Sequence, residues 1–215
     1  TYNGRAEKDD NLKLALAVGD ILEKNGIDVV YTRTTDEYET PFKKATDAND
    51  AKADYFVSIH RNSSPTPNQY TGVETLVYNN SGIKSQMAAN INSELEKAGF
   101  KNLGITERPN LVVLKRTKMP AVLVEASFIN NDKDNETFDK NFNQIANGIA
   151  DGILKTLGIK PKTNNTTAQA ASGEVPSVKS DSAKSAEIMP AACEKKPAPC
   201  LLYTSPSPRD RQKSR

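Results

Sequence analysis

Cysteine and histidine are nearly absent from this chain, and each scarcity limits its chemistry. The only cysteines are Cys193 and Cys200. Both lie outside the part that reads as folded, so no disulfide and no thiolate metal ligand is available to the fold. His60 is the only histidine, and a lone imidazole is more often a satisfied structural residue than a ligand. Long apolar runs are missing too: none approaches the ~20 residues that cross a bilayer. Charge of one sign is also in short supply. Residues 1–160 carry 20 Lys+Arg and 22 Asp+Glu, a net of −2, and residues 161–215 carry 9 and 5, a net of +4. Neither part has the strongly basic face that nucleic acid requires. Nucleic acid and membrane are therefore set aside as partners.

What is present is alternation of helical and extended patterns. Leu12, Ala15, Leu16, Val18, Ile21 and Leu22 recur at helical spacing, predicting a helix over 10–25 that Asp9 or Asp10 caps and Gly26 ends. Strands are predicted at Ile27–Thr32, Tyr55–Ile59, Val73–Tyr78, Leu111–Leu114 and Ala121–Val124. Helices are predicted at Pro41–Ala51, Ser81–Ala98 and Asp134–Leu157, the last with Phe138, Phe142, Ile145, Ile149 and Ile153 as its buried stripe. The nearly continuous apolar run YFVSI suits a central strand covered on both faces. A polar loop, Arg61 to Thr71, follows it. Strands alternating with helices predict an α/β fold on a mixed, mostly parallel sheet flanked by helices.

The chain changes character near Lys160. Residues 159–199 are rich in Pro, Ala, Ser, Thr and Lys, a composition that buries too little apolar surface to offset chain entropy and so predicts a disordered linker. Residues 200–215 are of another kind. The stretch CLLYTSPSPRD reads as an in-frame translation of a transposase-type sequencing-library adapter, in which TGTCTCTTATACACATCT encodes Cys200 to Ser205. The expectation is a folded domain over 1–158, a linker, and an adapter-derived end. Residue 1 is Thr, so the natural N-terminus, with any targeting segment, is expected upstream.

Three residues stand at element ends, where open α/β sheets build their sites. His60 follows a buried strand, Glu125 closes the strand AVLVE, and Glu7 precedes the first helix in GRAEKDDNL. Each has a plainer reading. Glu7 could complement the helix macrodipole, and Glu125 could pair with Arg108, Lys115 or Arg116. Together they suit a zinc hydrolase, because zinc takes imidazole nitrogen and carboxylate oxygen, and a further carboxylate can then move protons.

Four segments carry a resemblance: GRAEKDDNLKLALAVGDILEKNGIDVVYTRTTD, DANDAKADYFVSIHRNSS, GVETLVY and MPAVLVEASFINNDKDN. In this order they resemble the zinc-dependent N-acetylmuramoyl-L-alanine amidases of sporulation, wall remodelling and phage lysis, over residues 1 to about 157. The resemblance implies a phosphorylase/hydrolase-like α/β fold whose first strand, with a first His ligand, is missing here. It implies Zn2+ held by Glu7 and His60, with Glu125 as the catalytic carboxylate. It implies peptidoglycan as partner, action outside the cell at the wall, and a possible wall-binding domain beyond the linker. Asn62, beside the ligand His60, is expected on the wall of the substrate groove. One departure is Lys44, which stands where the family usually has Arg and lacks the planar fork. Two other readings remain: a zinc carboxypeptidase, and a non-catalytic wall-binding module.

Overall fold

The computed structural model describes residues 1–161 and the backbone of a strand at Cys200–Thr204. Residues 162–199 and 205–215 lie outside the described residues, and with them most of the expected linker and adapter-derived end.

The chain opens with α1, Glu7–Lys24, three residues ahead of its predicted start. Asp9 and Asp10 therefore do not cap it. They sit with Glu7 inside the first turn, complementing the helix dipole, and the N-cap is Ala6. Gly26, at φ +84°, closes the helix as its amide and that of Ile27 return to the carbonyls of Glu23 and Leu22. Then come β1 (Asp28–Tyr31), α2 (Pro41–Asp50), β2 (Tyr55–Asn62), β3 (Val73–Val77) and α3 (Gly82–Lys97). Thr40 caps α2 by accepting the Lys43 amide at 3.1 Å, with Pro41 in the first turn.

The next stretch departs from expectation. A strand, β4 (Asn102–Glu107), forms where none is predicted, and Leu111–Leu114 is no strand but leads into a short helix, α4 (Val112–Arg116). Four apolar residues fit either state by periodicity alone. β4 is a half-exposed edge strand without a continuous apolar side. β5 (Ala121–Phe128) is buried throughout. The predicted final helix divides at Asn141 into α5 (Asp132–Lys140) and α6 (Phe142–Thr156).

One six-stranded sheet has the order β1-β6-β2-β5-β3-β4, where β6 is Cys200–Thr204. All neighbouring pairs are parallel except β3 with β5. Residues 1–161 thus leave a gap one strand wide between β1 and β2, and the segment read from sequence as adapter-derived lies in it.

The two faces of the sheet differ. On one, Val57, Ile59, Val122, Val124 and Val77 pack with the buried sides of α1, α3 and α6. There α3 and α6 approach so closely that a Cβ on Gly152 would meet the Ile91 Cα at 2.6 Å. On the other, Phe56, Leu123 and Leu76 are covered by Ala48 of α2 and by Val113 and Leu114 of α4.

Candidate active site

The side-chain alternation of a strand puts His60 on the same face as Phe56, and Glu125 on the same face as Leu123. Both therefore belong to the face that α2 and α4 cover, two residues or more beyond its apolar patch. His60 and Glu125 are direct register partners on β2 and β5. The structure thus brings the sequence-predicted imidazole and carboxylate side by side.

Glu7 arrives from the opposite layer. The first turn of α1 reaches over the end of β2, and Glu7 Oε1 stands 3.3 Å from His60 Nδ1. The same oxygen accepts the Arg61 amide and Asn11 Nδ2, each at 3.1 Å. Glu7, His60 and Glu125 are 8%, 6% and 7% exposed. Glu7 does complement the helix dipole, as its plainer reading held, but it is also fixed against the imidazole.

These two groups suit zinc in kind. Donors ~2.0–2.1 Å from a tetrahedral ion lie ~3.3–3.4 Å apart, and the observed Oε1–Nδ1 separation is 3.3 Å. In number they fall short, since no set of three His, Cys, Asp or Glu able to hold a metal occurs among the described residues. The buried Asn11, one helical turn from Glu7, has an Oδ1 with no hydrogen-bond partner.

Sequence reasoning missed what holds this corner together. Arg61 is not the start of a loop but a fully buried residue of β2. Its guanidinium donates to Asp10 Oδ2 at 2.6 Å, to Asn135 Oδ1 at 2.6 Å and to Ser127 Oγ, and lies 4.3 Å from the Phe138 ring centroid. Burial pulls its pKa down, and Asp10 works against that. Asp10 also accepts Arg5 Nε at 2.7 Å, and Arg5 reaches Asp139 at 2.6 Å. Arg33, beyond β1, donates to the Lys8 carbonyl at 2.8 Å. The start of α1 is thereby tied to β2, α5 and the segment after β1. No motif flagged Arg61; the signal was a cation directly following a buried apolar run.

Past the His60–Glu125 pair the register shifts, so that Asn62 faces Phe128, and β5 carries one extra residue. Ser127, buried with φ +94°, sits in this bulge. Such a conformation is costly for a non-glycine residue and persists only where surroundings enforce it. Here Asp134 Oδ2 accepts the Phe128 amide at 2.8 Å and the Gly72 amide at 3.0 Å, while Arg61 holds the Ser127 hydroxyl. The loop after β2 is fixed as well. Asn130 exchanges hydrogen bonds with Ser64, and Asn131 donates to the Tyr70 carbonyl. Asn62, the expected groove residue, ends β2 with its Oδ1 accepting the Ser63 amide at 2.8 Å. Lys44 is buried in α2.

A family described as N-acetylmuramoyl-L-alanine amidase matches residues 1–155. The chain belongs to that amidase family. Among curated relatives, the endolysin of Bacillus phage SPP1 is 34% identical over 76% of this chain and 63% of its own length. The sporulation-specific N-acetylmuramoyl-L-alanine amidase of Bacillus subtilis (strain 168) is 34% identical over 77% and 65%. The chain therefore spans just under two-thirds of these relatives. Solved amidase structures share the fold. The CwlV catalytic domain from Bacillus (Paenibacillus) polymyxa var. colistinus is 37% identical with a TM-score of 0.65, covering 72% of this chain and 86% of that one. An N-acetylmuramoyl-L-alanine amidase from Clostridium difficile 630 is 33% identical with a TM-score of 0.67, covering 74% and 87%.

Proposed function

We propose that this domain hydrolyses the amide between the lactyl group of N-acetylmuramic acid and the L-Ala of the stem peptide in peptidoglycan. The observation that carries the reading is the meeting of Glu7, His60 and Glu125 at one sheet end in a chain of the amidase family. Glu7 and His60 would hold Zn2+, which when bound supplies a Lewis acid and an acidified water. Glu125 takes the proton of the attacking water and returns it to the leaving nitrogen. Arg61 keeps Glu7 and His60 in place through its amide and its buried guanidinium, and Asn62 stands on the groove wall. A catalytic zinc takes three protein ligands, and the resemblance assigns the third to a His ahead of Glu7. With two donors alone, zinc binding should be weak and wall lysis absent. Peptidoglycan places the action outside the cell, and a wall-binding domain past the linker would hold the enzyme there.

The test uses purified walls and a protein carrying the His segment upstream. Digestion should release new L-Ala amino termini and no C-terminal amino acid, which separates an amidase from a carboxypeptidase. Chelation or Glu125→Gln should abolish release. Undiminished release in either case overturns the reading, and wall binding without any release would favour a non-catalytic module.

A further inference from the structure

Glu74 stands in the same row as His60 and Glu125, and nothing in the reaction above uses it. It is the antiparallel register partner of Glu125 across β3 and β5. It is half-buried, on the face of Leu76, and its Oε1 accepts the Thr106 hydroxyl from β4. Residues directly opposite in an antiparallel pair have Cβ atoms ~4.5–5.5 Å apart, and like charges so placed oppose the pairing. A second carboxylate held there by a hydroxyl suits a cation that comes and goes.

The row also has an order. It runs from His60 on β2 to Glu125 on β5 and Glu74 on β3, and Thr106 on β4, the register partner of Leu76, reaches Glu74 through its hydroxyl. On the function proposed above, on which this inference rests, the lactyl carbonyl lies over β2 and the leaving nitrogen at Glu125. The peptide side of the bond then lies toward β3. We propose that Glu74 receives the leaving amine. The water oxygen bonds to the carbonyl carbon, and the C–N electron pair goes to nitrogen, which takes one proton through Glu125. The proton shed by the new carboxylic acid completes the ammonium, and that cation pairs with the Glu74 carboxylate. Glu74 is thus a product-side recognition residue, and Thr106 orients it.

The experiment is calorimetric binding of the dipeptide L-Ala-γ-D-Glu and of its N-acetyl derivative to the full chain with zinc supplied. A charge-assisted contact predicts about tenfold or greater preference for the free amine. Glu74→Gln should erase that preference and leave the N-acetyl peptide within about twofold. Thr106→Val keeps the carboxylate and should reduce the preference severalfold, serving if the Gln variant melts early. Equal binding of both peptides by the unaltered chain, or a preference that survives Glu74→Gln in a normally melting protein, overturns the inference. The hydrolytic reading fails by a different result, release from walls that survives Glu125→Gln, so the two failures are distinguishable.

Discussion

The two faces of this sheet are made from the same strands and do opposite work. Toward α1, α3 and α6 the described strands present an apolar core, with Val57 and Val124 among its members, and Thr75, whose hydroxyl donates to Asn92 at 2.6 Å. Toward α2 and α4 the apolar cover is shorter, resting on Phe56, Leu76 and Leu123, and beyond it come His60, Glu125 and Glu74. The lesson is that one sheet supplies both a core and a site when the helices on one side are too short to cover it. α2 has 10 residues and α4 has 5, against 18, 16 and 15 for α1, α3 and α6.

The sharpest way to break this contrast is at the site. In the protein carrying the upstream His segment, Glu125→Gln should lower wall hydrolysis by ~10²–10⁴-fold, the usual worth of a general acid–base group, with little change in melting temperature. A lysis assay paired with thermal unfolding checks both halves. Next is the joint between the layers. Asp10→Ala leaves the buried Arg61 guanidinium without its carboxylate, and breaking such a pair costs about 3–5 kcal/mol. Denaturant unfolding measures this, and activity should fall with it because Arg61 also fixes Glu7. On the covered face, Gly152→Ala forces a methyl against the Ile91 backbone, an overpacking worth about 1–3 kcal/mol, with no effect on peptide binding at the site.

The smallest effect is electrostatic and should appear only with pH. Burial, with Glu94 nearby, raises the Asp151 carboxyl pKa. A raised folded-state pKa means that this group favours folding most below the ordinary carboxylate value of ~3.9 and loses that contribution as pH rises through the folded value. Asp151→Asn should therefore stabilise the protein near neutrality, by less than about 1 kcal/mol given solvent screening, and give no gain below about pH 4. Unfolding at the two pH values tests the sign.

Much of this was legible in the sequence, and the exceptions have physical causes. His60 and Glu125 could be located because buried parallel strands read as continuous apolar runs and their ends mark sites. Glu7 lies 53 positions from His60, so no local pattern linked them; their shared place at element ends grouped them, and the family resemblance gave them roles. Arg61 was read as loop because a fully buried guanidinium leaves no periodic trace, and its four partner residues come from α1, β5 and α5. β4 and α4 were misassigned because one is a half-exposed edge and the other a single turn, so neither offers a period to count. Asn141 split the last helix while the apolar stripe ran on through Phe138 and Phe142, whose rings meet edge to face at 5.8 Å.

The extra residue in β5 resets the phase of everything after it. A strand alternates with period two, and the bulge lets Phe128, three residues past Glu125, face Asn62, which lies two past His60; deleting Ser127 would remove the bulge and the hydroxyl that Arg61 holds. The same deletion would shorten the chain that carries the Phe128 amide to Asp134 and Asn130 to Ser64. The chain can therefore drift in sequence on either side of this point more safely than it can change in length there. A one-residue deletion at Ser127 should dismantle the rim of the cleft while leaving His60 and Glu125 still in register.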